Sequence, residues 1–289
     1  MDNARRLGWV VALPTTLFVL AFALFPVVVL AANSLGLGKT GLRESAGFSF
    51  DHYAKVLASP GVQQSIVNSL VVSVLSVLLA MAVAVPVVLE LARRTRDGVD
   101  TGGVDAVVML PIALPGTVIG FFAIVLIGNT GLLAKVFPAL EGASYTIPGV
   151  LVAYIYFTLP RAIGPLRGAA QALDPAETDT ARSLGASRWY VFRTITFPQL
   201  LPAIVESSGT ALAIALGGYG TIATLSQGVR MLPLDVVDQL SSAGYNIAAA
   251  SATAIVLGVL SVAFLLLGHL GSRFLLQRAG LRGQKGTTA

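Results

Sequence analysis

Residues 64–91 read QSIVNSLVVSVLSVLLAMAVAVPVVLEL, with Glu90 the single charge and Pro86 the single proline. A helix needs roughly 20 mostly apolar residues to cross about 30 Å of hydrocarbon. This stretch exceeds that length. Similar runs lie at residues 8–32, 104–127, 145–170, 198–225 and 243–270. The expected fold is all-α and integral to a membrane: six transmembrane helices in a single domain, residues 1–289. Only Arg5 and Arg6 stand before the first run, and no small-residue cleavage site follows it, so it is expected to be retained. Pro86, Pro111, Pro115, Pro148, Pro160 and Pro165 interrupt the runs. Such breaks survive in lipid only where neighbouring helices or water satisfy the freed backbone groups. The spans must therefore pack together, and some line a cavity.

Composition agrees. Of 289 residues, 55% are hydrophobic and 11% charged, and mean hydropathy is +0.81. A soluble domain carries about 25% charged residues, so a soluble enzyme, a nucleic-acid module and a disordered tail are poor readings. The net charge of +5 sits between apolar runs and orients them. With the amino terminus inside, the cytoplasmic segments hold Arg5, Arg6, Arg93, Arg94, Arg96, Arg161, Arg167, Arg182, Arg188, Arg193, Arg273, Arg278, Arg282 and Lys285. The outer segments hold only Lys39, Arg43, Lys55, Lys135 and Arg230. The positive-inside rule then places both termini in the cytoplasm. The chain has no cysteine, which removes any disulfide framework, thiol nucleophile or thiolate metal site.

Residues 167–202 break the pattern. Asp174-Pro175-Ala176-Glu177 has the form of a capping box, with aspartate as N-cap, proline at the first helical position and glutamate to close the box. Helix-compatible residues run to Leu184, where Gly185 can supply a left-handed end. Ser187 can cap a second amphipathic helix through Arg188, Trp189, Tyr190, Val191, Phe192 and Arg193, and Pro198 marks entry to the fifth span. Composition alone leaves two readings open: an interfacial helix with its aromatics among headgroups, or a docking element for a partner.

The run Asp179-Thr180-Ala181-Arg182-Ser183-Leu184-Gly185-Ala186-Ser187, followed by Ile195-Thr196-Phe197-Pro198, resembles the EAA loop of ATP-binding-cassette importer permeases. Gly185, Ile195 and Pro198 fall in register with that family pattern. Asp179, Thr180 and Phe197 stand where the family has glutamate, alanine and leucine. Asn68-Ser69 opening a span that ends in Leu91-Ala92-Arg93 is also family-like. The resemblance implies a bacterial inner-membrane permease whose segment 174–198 is a coupling helix gripped by a cytosolic ATPase. Its contacts would come from Asp174, Glu177, Asp179, Ala181, Arg182, Leu184, Gly185, Ser187, Arg188, Trp189 and Pro198, with Phe192 as a further apolar anchor. The implied partners are an ATPase dimer, a second permease subunit (identical or homologous) and an extracytoplasmic solute-binding protein. ATP and magnesium would sit on the ATPase, with no cofactor on this chain.

A transport pathway also needs polar groups inside the bundle. Glu206 lies about eight residues into the fifth span, and an intramembrane acid is a functional candidate by default. Ser207 and Ser208 follow it, with Thr210 beyond. Its bland reading is a carboxylate near the interface, solvated or paired with Arg193 or a neighbouring helix. Asn68, Tyr219 and Asn246 (beside Tyr245) are the other pathway candidates, and for the two asparagines a helix–helix hydrogen bond is the competing role. Gly217-Gly218-Tyr219-Gly220 suggests close helix approach or a bend; a channel filter would need a short pore helix before it.

Other look-alikes fail on context. Gly36-Leu37-Gly38-Lys39-Thr40-Gly41 satisfies a dinucleotide pattern, but a span precedes it and no strand–helix unit surrounds it. His52 and His269 have no acidic or histidine neighbours at metal-ligand spacing, so no metal site is expected. The outer stretch 33–63, with Phe48, Phe50 and Tyr53, offers either a binding-protein contact or a surface helix. Gly220 to Ser226, with Arg230-Met231-Leu232-Pro233-Leu234, resembles the branch serving polyamines, ferric iron, sulfate or molybdate, and aminophosphonates. An acid in the pathway would favour an amine-bearing solute. The competing function is a secondary carrier or channel working without an ATPase, which has no use for the capped cytoplasmic pair.

Overall fold

The computed structural model describes residues 2–38, 47–225, 228–241, 246–278 and 280. Lys39, Thr40 and Gly41 of the glycine-rich stretch, Ser226, Tyr245, Arg43, Arg282 and Lys285 lie outside the described residues. Regular structure among those described is helical: α1 (Asp2–Ser34), α2 (Asp51–Ala58), α3 (Pro60–Arg96), α4 (Gly102–Ala113), α5 (Gly116–Ile127), α6 (Ile147–Gln171), α7 (Pro175–Ser183), α8 (Arg188–Val191), α9 (Phe197–Leu216), α10 (Tyr219–Ala223), α11 (Leu232–Ser241) and α12 (Ile247–Arg278). Five helical stretches are long and apolar enough to cross a membrane. A sixth forms if α4 and α5 count as one span.

The expected third span, residues 104–127, is not straight. α4 and α5 meet at 107°. Leu114 is extended (φ −88°, ψ 133°) ahead of Pro115, as a residue before proline tends to be, and Pro115 has no N–H to continue the ladder. The expected fifth span, residues 198–225, is also corrected. Its helix stops at Leu216, turns through Gly217 and Gly218, and resumes as α10.

The chain forms two compact units, residues 1–63 with 235–258 and residues 64–234 with 259–289. In the first, α1 leaves most of its described apolar side chains exposed (Phe18, Phe22 and Phe25 among them), as a helix facing lipid does. Its end is tied to α2 by a 2.7 Å hydrogen bond between the Ser34 and Tyr53 hydroxyls. In the second unit, Val72, Ile119, Val150, Tyr154, Ile222 and Met231 pack into one core cluster. Val77, Val88, Ile163, Leu166 and Leu200 form another. These clusters hold α3, α5, α6, α9 and α10 together. Arg167 of α6 pairs with Asp105 of α4 and donates to Thr101 Oγ1 at 3.1 Å. α9 and α12 cross where Gly209 meets Gly268: a Cβ on Gly209 would lie 2.6 Å from the Gly268 Cα.

Candidate functional site

α7 is held at both ends by its own sequence. Asp174 Oδ1 accepts from the Ala176 N–H at 2.8 Å, satisfying a donor that the first turn leaves free. At the other end Gly185 has φ +87°. Its N–H bonds to the Arg182 carbonyl at 3.0 Å, and the Ala186 N–H reaches the Ala181 carbonyl at 3.1 Å. That bond pair is a Schellman turn, which needs a left-handed residue where glycine stands. Ser187 Oγ then accepts from the Tyr190 N–H at 3.2 Å, capping α8. The turn between two capped helices is as its residues predict.

Two details differ from the sequence-based expectation. Glu177 does not close a capping box; its carboxylate accepts from Gln199 Nε2 at the start of α9. The second helix is not separate from the fifth span either. α8 passes through a π-helical turn, Phe192–Thr196, directly into α9, giving one apolar stretch Arg188–Leu216. Pro198 and Pro202 each lack an N–H, and a widened turn accommodates the interrupted ladder. The tight turn is thus fixed to the fifth span covalently through α8 and by a side-chain bond through Glu177.

α7 buries no residue. Asp174, Glu177, Asp179, Arg182, Gly185, Ser187, Arg188 and Pro198 are exposed and Ala181 is half-buried. Leu184 is 83% exposed. No other large apolar side chain among the described residues is as exposed. Ala181, Leu184, Ala186 and Tyr190 line one shallow concavity beside the turn. Trp189 and Arg188 point elsewhere, into a groove shared with α3, and Trp189 stacks on Phe192 at 5.6 Å between ring centres. A polar cleft between α3 and α7 is lined by Arg93, Arg96, Asp174, Asp179 and Arg182. There Arg96 donates to the Leu173 carbonyl at 3.0 Å.

The pathway candidates have individual partners. Asn68 donates to the Arg230 carbonyl at 2.9 Å and accepts from Gln64. Ser69 Oγ accepts from the Leu232 N–H at 2.9 Å. Asn68-Ser69 therefore clamps the segment leading into α11. Glu206 Oε2 accepts from Ser272 Oγ at 3.2 Å, and Oε1 lies 3.4 Å from His269 Nδ1. Residue spacing showed no acid near His269, yet the fold brings Glu206 to it across the α9–α12 crossing. The partnering helix is α12, not the turn carrying Arg193. Ser207 is buried and Ser208 half-buried. Tyr219 is 41% exposed at the start of α10. Asn246 Oδ1 accepts from the Ala249 N–H at 3.0 Å, which makes it the N-cap of α12. Gln199, His269, Ser272 and Gly268 carry no motif, and their roles appear only when α9 is placed against α7 and α12.

A model of the binding-protein-dependent transport system inner membrane components matches residues 76–279. The molybdenum transport system permease protein of Escherichia coli (strain K12) is 29% identical over 218 residues, covering 73% of this chain and 92% of that protein. The molybdate/tungstate transport system permease protein of Thermococcus kodakarensis is 32% identical over 168 residues, 58% of this chain and 62% of that protein. Among solved structures, a chain of a bacterial alginate ABC transporter, in complex with alginate pentasaccharide-bound periplasmic protein, superposes with a TM-score of 0.70. It is 20% identical and covers 94% of this chain and 96% of its own, which shows a shared fold.

Proposed function

The chain belongs to the binding-protein-dependent transport system inner membrane components, and we propose that the capped turn around α7 is where a partner ATPase drives it. It is a permease subunit of an ABC importer. The exposed Leu184, held by the Asp174 cap and the Gly185 turn over a helix with no buried residue, carries the docking reading. A rigid knob of this kind transmits a push that a flexible loop would absorb. Continuity of α8 with α9, together with the Glu177–Gln199 bond, would pass the displacement into the fifth span.

On this reading α4 and α5 make one bent span, and the chain is a single six-span domain with both termini in the cytoplasm. The chain itself is non-catalytic. ATP and magnesium belong to a cytosolic ATPase dimer, a second permease completes the pore, and an extracytoplasmic binding protein delivers solute. A tetrahedral oxyanion of the molybdate type is the proposed solute, supported by the names of the relatives above. The ground for an amine-bearing solute weakens, because the Glu206 carboxylate is engaged by His269 and Ser272.

The test is uptake into proteoliposomes holding this chain, its cognate ATPase and its binding protein. Uptake of labelled molybdate is expected only with ATP and the ATPase present, with competition by tungstate and none by a polyamine. Uptake that persists without the ATPase would identify a secondary carrier. Competition by the polyamine would reinstate the amine reading.

A further inference from the structure

A groove of about 940 Å³ runs along α3 within the second unit. Leu78, Val85 and Leu89 wall one side, and Trp189, Phe192 and Ile204 the other. This lining is the wrong chemistry for a small hydrated anion, which needs convergent polar groups. Polar groups gather at one end of the groove, where Glu90, Arg93 and Arg188 stand. Glu90 is occupied by Arg94 at 2.9 Å. Arg93 lies 3.9 Å from Glu90 and 3.7 Å from Asp97, both beyond hydrogen-bond reach. Arg188 makes no ion pair among the described residues. Two arginines, Arg93 and Arg188, therefore stand against one carboxylate that Arg94 already holds, and this end is positive. The adjoining cleft adds Arg96 and Arg182 against Asp97, Asp174 and Asp179, so the positive charge belongs to the groove end itself.

The dimensions suit a lipid. Leu78 to Arg93 spans roughly 22 Å of helix at 1.5 Å per residue, more than the roughly 15 Å that one leaflet contributes to the hydrocarbon core. Trp189 is 68% exposed at the charged end, as tryptophan at a headgroup boundary is. Basic pockets at the cytoplasmic ends of membrane helices hold anionic headgroups. We propose that this groove binds an anionic phospholipid, its acyl chain lying along α3 and its phosphate held by Arg93 and Arg188. The lipid would fasten the α8 turn to α3 in a groove that Leu184 does not line. The proposal uses the entry to α9 and not the docking of α7.

The experiment needs no ATPase, so its failure leaves the coupling assignment untouched. In the full chain, Trp9→Phe leaves Trp189 as the one tryptophan. The protein is placed in phosphatidylcholine vesicles containing equal mole fractions of brominated phosphatidylglycerol or brominated phosphatidylcholine. Quenching of Trp189 is expected to report enrichment of the anionic lipid, about fivefold for each arginine engaged. Arg93→Gln with Arg188→Gln is expected to abolish the preference, and Arg93→Lys with Arg188→Lys to retain it. Arg193→Gln, an exposed position off the groove, is expected to leave it unchanged. Equal quenching by both lipids, or a preference that survives the glutamine pair, overturns the proposal. So does loss of the preference in Arg193→Gln, which would mark diffuse surface charge, or no quenching by either lipid, the result if a second copy's helix fills the groove.

Discussion

At Gly185 one dihedral angle decides whether the turn proposed as the docking site exists. Its φ of +87° costs a residue with a Cβ on the order of 1–2 kcal/mol, and a β-branched side chain suffers most. Gly185→Val is therefore expected to leave the protein inserted and assembled while ATP hydrolysis continues without uptake. The ratio of phosphate released to solute imported measures this, and an unchanged ratio would contradict the role given to the turn. Glu206 is legible as an odd acid in an apolar run, but its partners are not, because His269 and Ser272 lie more than sixty positions away. Glu206→Gln is expected to lower the maximal uptake rate with KM unchanged, since the group ties α9 to α12. A raised KM would instead make it a solute contact. Asp174 and Ser187 were readable because capping is local: donor and acceptor lie within three residues of each other.

At the scale of elements, the spans were legible from apolar length, but their interruptions were not. Pro115 announces a break, yet whether a helix kinks gently or turns through 107° depends on what packs around it. The joining of α8 to α9 was hidden for the same reason. Pro198 reads as a helix start, and only the π-helical turn before it shows that the helix has already begun. The α9–α12 crossing likewise needs two glycines from distant parts of the chain. Gly209→Leu would place atoms against the Gly268 backbone, which cannot rotate away as a side chain could. Overpacking of this kind costs about 1–3 kcal/mol. The expected result is a lower melting temperature in detergent and less uptake per assembled complex. A variant that melts with the parent would show that the crossing opens without cost.

For the whole molecule, composition excluded a water-soluble role, and the distribution of arginine predicts an orientation with both termini inside. The solute stayed illegible, since small residues and hydroxyls line helix contacts and pathways alike. Orientation is directly measurable because the chain has no cysteine of its own. Val99→Cys, in the turn after α3, is expected to react with an impermeant maleimide only after cell lysis. Leu132→Cys, between α5 and α6, is expected to react in intact cells; the reverse pattern would invert the topology.

The importer mechanism stands on contact between Leu184 and the ATPase. The most direct measurement is a disulfide or bifunctional crosslink from Leu184→Cys in the assembled transporter. A crosslink to the ATPase subunit, changing in yield between nucleotide-free and ATP-bound states, is predicted. Labelling of Leu184→Cys by lipid or aqueous reagents alone, with the ATPase bound and uncrosslinked in both states, would contradict it.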